Sequence, residues 1–268
     1  MASNVSWALI LGASSGFGEA TSLELARHGY NVFGVHLDLR ATLPNAQRIQ
    51  DEIRSLGREA AFFNVNAADA EKRASVVESM QERLRQDESA SGGFVRVLLH
   101  SLAFGTLLPY VAESPKDALS QKQMEMTVDV MAHSLVYWVQ DLVSRNLLRR
   151  GSRIFAMTSS GATRVIRSYG AVSAAKAALE SHIRQLAFEL APLGITANAI
   201  RAGVTDTPAL RRIPGGPELL ARAQERNPSG RATAPQDVAR AIAALADERL
   251  SWMTGNVIGV DGGEELTG

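Results

Sequence analysis

Short apolar runs rich in β-branched residues alternate along the chain with longer stretches of helical spacing. The apolar runs predict buried strands at residues 7–11, 31–37, 60–65, 95–101, 153–158, 196–201 and 256–260. The helical spacing predicts helices at residues 17–27, 45–56, 69–88, 117–149, 168–191 and 235–246, with turns at 89–93 and 192–194. Continuous apolar strands separated by helices are typical of a parallel sheet covered on both faces. The pattern therefore predicts one α/β domain over residues 1–268, a doubly wound parallel sheet of seven strands.

One segment, residues 205–231, interrupts this alternation. It is rich in Pro, Gly and Arg, and it contains the run Ile-Pro-Gly-Gly-Pro at 213–217. Long irregular insertions in compact α/β domains are usually lids or disordered. The segment follows the sixth strand at its carboxyl end, where such sheets bind ligands. We predict an irregular, mobile substrate lid here, with a passive surface loop as the alternative.

Composition and charge narrow the range of functions. The 268 residues carry 28 basic and 28 acidic side chains, so net charge gives no reason to expect a nucleic-acid partner. No apolar run is long enough to span a bilayer, and residues 1–4 lack the features of a signal peptide. The absence of cysteine excludes disulfides and thiolate chemistry, and the five histidines show no close metal-ligand spacing. We expect a cytoplasmic protein without membrane or nucleic-acid partners.

A glycine-rich turn joins the first predicted strand to the first predicted helix. Gly12, Gly16 and Gly18 are spaced so that the turn closes tightly and the backbone approaches a pyrophosphate, which would meet free N–H groups at the helix start. Three glycines alone are weak evidence, but their position between strand and helix of an alternating α/β chain is specific. The turn predicts a dinucleotide-binding Rossmann fold.

Charged residues near the end of the second strand bear on which dinucleotide is bound. Asp38 lies 20 residues after Gly18, where an acid that binds the adenosine ribose is expected. The strand is expected to end at His36 or Leu37, which places Asp38 slightly beyond the ribose. Arg40 and His36 would instead meet a 2′-phosphate, which slightly favours NADP(H) over NAD(H). A surface charge cluster with neither role is the third alternative.

The motifs together resemble those of the short-chain dehydrogenase/reductase family over essentially the whole chain. Besides the glycine turn, they are Asn64-Val65, the Ser/Thr cluster at 158–161, Tyr169, Lys176, and the segments 198–200, 203–207 and 260–263. The resemblance implies NAD(H) or NADP(H) as cofactor, bound by residues at the ends of several strands. These are Gly12, Ser14, Ser15, Phe17, Gly18, His36, Asp38, Arg40, Asn64, Val65, Ser101, Leu102, Ala103, Lys176, Gly203, Val204 and Thr207.

The spacing of the tyrosine and the lysine departs from the usual family pattern. Lys176 follows Tyr169 by seven residues instead of four, and Val172 stands where the usual tyrosine would be. Seven helical residues turn roughly 700°, so both side chains share a face about 10 Å apart along the axis. The longer spacing resembles the enoyl-acyl-carrier-protein reductase branch. The His-Ser-x-x-Phe pattern at 100–104, and Asp129 in place of the relay asparagine, are similar to that branch.

The resemblance assigns catalysis to Tyr169, Lys176 and Ser159. Lys176 would lower the pKa of Tyr169 and bind the nicotinamide ribose, while Tyr169 stabilises the enolate oxygen. Ser159 would add a second donor, although it stands where many enoyl reductases carry a second tyrosine. Serine at a strand end also satisfies backbone groups, so a structural role stays open for it. His100 and Asp129 are open between buried structural groups and functional ones.

Three functions are compatible with these motifs. The first is NAD(P)H-dependent reduction of an enoyl thioester in fatty-acid synthesis, with the substrate possibly on acyl carrier protein. The second is a carbonyl reductase of the same family, acting on a 3-oxoacyl, steroid or xenobiotic ketone, with Tyr169 as general acid. The third is a dinucleotide-binding protein without catalysis. The resemblance also implies a homotetramer, with the helices near 117–149 and 168–191 packed between subunits.

Overall fold

The computed structural model describes residues 6–86 and 93–267. The turn predicted at 89–93 falls outside these residues except for its last position. Within the described residues, no helix has both the length and the apolar character that crossing a membrane requires.

A single parallel sheet of seven strands forms the centre of the fold. The strands are β1 (Ser6–Leu11), β2 (Tyr30–His36), β3 (Ala60–Asn64), β4 (Val95–His100), β5 (Arg153–Thr158), β6 (Thr196–Ala202) and β7 (Val257–Val260). Their order across the sheet is β3-β2-β1-β4-β5-β6-β7, and every neighbouring pair is parallel. The order reverses between β1 and β4, and ligands of such sheets bind at the carboxyl ends beside that reversal. The fold class predicted from the sequence is confirmed.

Helices cover both faces of the sheet. They are α1 (Gly16–Arg27), α2 (Leu43–Ser55), α3 (Ala70–Arg85), α4 (Gln121–Val128), α5 (Ser134–Ser144), α6 (Gly170–Leu190), α7 (Gly216–Arg226) and α8 (Pro235–Leu245). A π-helical segment, Asp129–His133, joins α4 to α5. The helix predicted at 117–149 is therefore shorter than expected. It begins after a capping box formed by Ser120 and Gln123, and it ends before Asn146, whose φ is +57°.

The segment predicted to be irregular contains a helix. Within residues 205–231, α7 begins after Gly215, whose left-handed conformation turns the chain, and Pro217 lies in its first turn. Proline is favourable there, and the nine residues that follow are mostly strong helix formers. The prediction of an irregular segment was wrong over α7, because the Pro-Gly-Gly-Pro run ends where the helix begins. The role of the segment as a mobile lid stays a prediction.

The alternation of side chains along β1 shows how the core is divided. Trp7, Leu9 and Leu11 face one side, where they pack with residues of α3, α5 and α6. Ala8 and Ile10 face the other side, where they pack with residues of α1, α2 and α8. Successive strand residues point to opposite faces, so a strand buried on both sides is apolar throughout. The two apolar layers hold the carboxyl ends of the strands at one common edge.

Candidate active site

The turn between β1 and α1 has the shape that a pyrophosphate needs. Gly12 and Gly16 have φ of +95° and +55°, a region that side chains disfavour. A Cβ atom at Gly12 would collide with the Ser101 carbonyl oxygen, and one at Gly18 with the Gly12 carbonyl oxygen. Across from the turn, a Cβ atom at Gly16 would lie 3.5 Å from Cγ2 of Thr207. The turn, the helix start and the loop after β6 thus fit a bound dinucleotide.

A network of hydrogen bonds fixes Asp38 beyond the end of β2. His36 Nδ1 lies 2.8 Å from the Asp38 carboxylate, and the Asn64 side chain binds the Asp38 backbone amide and carbonyl at 2.8 and 3.0 Å. Burial acts to raise the pKa of Asp38, but hydrogen bonds from Ser14, Thr42 and His36 outweigh it and lower the pKa. The carboxylate is therefore ionised, and it lies beside Ser14 of the glycine-rich turn.

This network bears on the two residues expected to meet a 2′-phosphate. The His36 side chain is only 3% exposed and is engaged with Asp38, so the structure does not support a phosphate contact from it. The strand does end at His36, as expected, yet Asp38 folds back toward the turn. Arg40 is exposed, and it has no hydrogen-bond or ion-pair partner among residues 6–86 and 93–267.

The remaining predicted cofactor residues lie along the same edge of the sheet. Each follows the carboxyl end of a strand or belongs to α1 or α6, and the set is Ser15, Phe17, Val65, Ser101, Leu102, Ala103, Lys176, Gly203, Val204 and Thr207. The Val204 amide donates to Glu264 Oε2 at 3.0 Å, so this group is already engaged within the protein. Burial raises the pKa of Glu264. Glu264 was not predicted from the sequence, because no spacing pattern links it to a loop 60 residues away.

Lys176 lies beneath the carboxyl edge of the sheet. Its Nζ donates to the Met157 carbonyl at 2.7 Å and to the Leu102 carbonyl at 3.4 Å. The residue is 5% exposed, and burial lowers its pKa to about 8, against the opposing effect of Glu180. Two of the three ammonium hydrogens are thus held by backbone carbonyls of β5 and of the loop after β4, which leaves one for a ligand.

Tyr169 immediately precedes α6 and is not part of the helix. Its φ and ψ are −98° and 2°, and the residue is 8% exposed. Burial raises its pKa, while a hydrogen bond from the Ser159 hydroxyl acts to lower it. The effect of Lys176 on this pKa stays a prediction. A Cβ atom at Gly161 would lie 2.6 Å from the Tyr169 ring, so this glycine lets the ring pack closely.

Ser159 and Val172 explain the unusual spacing. Ser159 Oγ accepts from the Gly161 amide at 3.1 Å, and the Ser159 hydroxyl also acts to lower the pKa of Tyr169. The structure is thus compatible both with a structural role of Ser159, through the Gly161 amide, and with a functional role beside Tyr169. Val172 is buried, and its Cγ2 lies 2.7 Å from where a Cβ atom of Gly105 would be. This position is part of the apolar core, and Tyr169 takes the place beside Ser159.

His100 and Asp129 lie deeper in the same region. His100 is fully buried, and its Nε2 lies 2.9 Å from Ser134 Oγ, which donates to the Val130 carbonyl. Burial, with a smaller effect from the charge of Lys176, lowers the pKa of His100 to about 3, so the imidazole is neutral. Asp129 lies in the π-helical segment and accepts from the Tyr137 hydroxyl at 3.0 Å. A relay role for Asp129 stays a prediction.

The fold and this arrangement define a nucleotide-dependent oxidoreductase of the short-chain type. The family model described as "Enoyl-(Acyl carrier protein) reductase" matches residues 12–265. The chain belongs to this family, within the short-chain dehydrogenases/reductases.

Individual relatives differ in their named activities. The chain is 32% identical to enoyl-[acyl-carrier-protein] reductase [NADH] FabI of Synechocystis over 66% of this chain and 67% of that protein. It is 28% identical to 3-oxoacyl-[acyl-carrier-protein] reductase FabG of Aggregatibacter actinomycetemcomitans over 95% and 97%. A short-chain dehydrogenase from Burkholderia cenocepacia, solved with NADP, is similar in structure, with a TM-score of 0.80, 25% identity and coverage of 97% and 98%. The similarity therefore extends to relatives named as enoyl-[acyl-carrier-protein] reductase and as 3-oxoacyl-[acyl-carrier-protein] reductase.

Proposed function

We propose that the protein reduces the trans-2 double bond of an enoyl thioester with a reduced nicotinamide dinucleotide. The observation that carries this proposal is the placement of Tyr169 at the start of α6, seven residues before the buried Lys176, with an apolar Val172 between them. This arrangement and the named activity of the Synechocystis relative support the enoyl reductase over other members of the family.

The residues at the site supply positioning and electrostatics. The bound cofactor would provide the hydride for the β-carbon of the substrate, and a proton from solvent would complete the reduction at the α-carbon. Lys176, with one ammonium hydrogen not held by a carbonyl, is placed to bind a ribose hydroxyl. Tyr169 stays protonated at neutral pH because burial raises its pKa, so it donates a hydrogen bond to the thioester oxygen as negative charge develops there. Ser159, which acts on the pKa of Tyr169, orients the phenol or acts as a second donor.

The geometry around Asp38 favours NADH over NADPH. An ionised carboxylate beside the glycine-rich turn accepts hydrogen bonds from the two ribose hydroxyls of NADH. The same charge repels a 2′-phosphate, and His36 is not available to offset it. Although the sequence slightly favoured NADPH, these contacts lead us to propose NADH as the preferred cofactor.

A carbonyl reductase is the second candidate, and the contact between Ser159 and Tyr169 favours it. In that reaction Tyr169 gives its proton to the forming alkoxide as general acid, and Ser159 binds the same oxygen. The FabG relative, which matches most of the chain, carries that activity in its name. Both candidates use the same three residues and differ in the atom that receives the hydride.

The loss of reduced-nicotinamide absorbance distinguishes the two candidates. Crotonyl and acetoacetyl thioesters, each on coenzyme A and on acyl carrier protein, are offered with NADH and with NADPH. We expect turnover of the crotonyl thioester with NADH. Turnover of only the acetoacetyl thioester would establish a 3-oxoacyl thioester reductase, and turnover of neither would refute reduction of both thioesters, which leaves only a carbonyl reductase of another ketone.

We also infer from the family resemblance that the protein is cytoplasmic and forms a homotetramer. Light scattering of the purified protein measures the mass of the assembly and so tests the tetramer.

A further inference from the structure

Large apolar side chains are exposed on two loops next to the proposed site. Phe104, Tyr110 and Val111 belong to the loop between β4 and α4, and Val165 belongs to the loop between β5 and α6. Half or more of each of these residues is exposed, from 50% for Phe104 to full exposure for Val165. Both loops follow the carboxyl ends of central strands, so these side chains lie at the edge of the sheet where Tyr169 is placed.

Among them, Tyr110 lies against Gly170, the residue that follows Tyr169. A Cβ atom at Gly170 would lie 2.5 Å from Cζ of Tyr110 and within 2.9 Å of both Cε atoms. The phenol end of the Tyr110 ring therefore rests on the backbone of Gly170, the residue that follows Tyr169. Tyr110 is 53% exposed, and its hydroxyl makes no hydrogen bond within the described part of the chain.

The loop that carries Tyr110 is anchored on both sides of this residue. Before it, the Thr106 amide donates to Thr127 Oγ1 at 3.0 Å. After it, the Leu119 amide donates to the Pro109 carbonyl at 2.8 Å. These backbone contacts place the Tyr110 ring without any contribution from its own hydroxyl.

We propose that Tyr110 is a substrate-positioning residue, whose ring forms one wall of the entrance next to Tyr169 and contacts the apolar acyl segment beside the thioester. This proposal rests on the proposed function and names a residue for its substrate. An aromatic ring that rests on a glycine and is 53% exposed gives an acyl chain an apolar surface to bury against. The Tyr110 hydroxyl makes no hydrogen bond within the described residues, so we expect the ring, and not the hydroxyl, to contact the acyl segment.

The test compares Tyr110→Ala and Tyr110→Phe in steady-state kinetics with trans-2-enoyl thioesters of increasing chain length. We expect Tyr110→Ala to raise KM about tenfold, equivalent to about 1.4 kcal/mol, with more effect on longer chains. The dissociation constant of NADH should change less than about twofold, since Tyr110 lies on the substrate side. Tyr110→Phe should retain the wild-type KM. Trp252→Ala is the matched control, because Trp252 is 97% exposed and precedes β7 at the opposite edge of the sheet.

A second variant tests the contact between the Tyr110 ring and Gly170. Gly170→Ala places a methyl group where the Tyr110 ring lies, so it should displace the ring and raise KM as Tyr110→Ala does. In a Tyr110→Ala background, Gly170→Ala should then add no further change in KM. A further loss of kcat in the double variant would show that the methyl group acts on Tyr169 instead, which contradicts the proposed contact between the Tyr110 ring and Gly170.

The outcomes separate this proposal from the proposed function. An unchanged KM in Tyr110→Ala, on any thioester that the wild type reduces, overturns the role of Tyr110 and leaves the function standing. Equal losses in Tyr110→Ala and Tyr110→Phe overturn the apolar contact, because they assign the effect to the hydroxyl. If the wild type reduces no thioester, calorimetric binding of hexanoyl-coenzyme A to the NAD⁺-loaded protein replaces kinetics. Weaker binding by Tyr110→Ala then supports Tyr110 alone, and no binding by the wild type refutes both.

Discussion

The ammonium group of Lys176 is buried, and burial makes its positive charge easier to remove. Its pKa of about 8 means that the group loses its proton within an accessible pH range. Below pH 8 the charged form donates to a ribose hydroxyl, and above it the neutral amine binds less well. We expect the dissociation constant of NADH, measured by fluorescence titration, to rise as the solution is made more alkaline through that pKa. Tyr169→Phe should show the same rise and Lys176→Met none, whereas a flat wild-type profile would contradict the assignment.

Tyr169 carries the chemistry rather than cofactor binding in this proposal. Replacing it with phenylalanine removes the hydroxyl that meets the developing charge and leaves the packing against Gly161 intact. We expect kcat to fall about 100-fold in Tyr169→Phe, while NADH affinity stays within about twofold. Ser159→Ala is the companion variant and should cost less, because the phenol remains. A normal rate in Tyr169→Phe would remove this residue from the mechanism.

In the proposed function, the selectivity between NADH and NADPH depends on the Asp38 carboxylate. Asp38→Ser removes the negative charge and keeps a hydroxyl beside Ser14, so NADPH should bind better and NADH worse. We expect the ratio of kcat/KM for NADH to that for NADPH to fall at least about tenfold. Adding Arg40→Ala should then weaken NADPH use if the exposed guanidinium meets the 2′-phosphate. An unchanged ratio in Asp38→Ser would show that the carboxylate does not face the ribose.

At the scale of elements, the strands were predictable from the sequence and several helix features were not. Every predicted strand boundary lies within one residue of the observed one, because strands buried on both faces are apolar throughout. Helix α7 was missed, since an exposed amphipathic helix after Pro-Gly-Gly-Pro resembles a loop in composition. The π-helical segment and the position of Tyr169 before α6 depend on packing between helices, which no local pattern encodes.

The turn between β1 and α1 depends on its glycines as a unit. At Gly18 a side chain would collide with the Gly12 carbonyl oxygen, a backbone atom that cannot move without opening the turn. We expect Gly18→Ala to abolish NADH binding in calorimetry, even where circular dichroism shows a folded chain. Gly29→Ala is the control, because Gly29 lies after α1, outside the turn, and has nothing within 4 Å of its added Cβ although its φ is +90°. Retained binding in Gly18→Ala would show that the turn is not the pyrophosphate site.

Across the whole molecule, the parallel sheet brings distant residues to one edge. The sequence could place the candidate site residues at one edge because most of them follow a strand, and the carboxyl ends of parallel strands meet at the same edge. The contacts that complete the site were not identifiable. Glu264 binds the Val204 amide, and Tyr110 rests on Gly170, through the path of loops that share no sequence pattern. The sequence thus predicts which edge of the sheet binds ligands. The conformation of the loops determines which polar groups at that edge are already engaged within the protein.

The burial of His100 links the core of the molecule to its stability at low pH. In the folded chain the pKa of His100 is about 3, whereas an unfolded histidine titrates near its usual pKa of 6.5. Below pH 6.5 the unfolded state therefore binds a proton that the folded state does not, and the free energy of unfolding falls as pH decreases. At about pH 5 this proton lowers the free energy of unfolding by about 2 kcal/mol.

Urea unfolding at about pH 7.5 and about pH 5 measures this decrease. The free energy of unfolding of His100→Gln should decrease by about 2 kcal/mol less than that of the wild type. His28→Gln is the control, because the side chain of His28 is 55% exposed, and it should behave as wild type. An equal loss in His100→Gln would mean that His100 accepts a proton in the folded state.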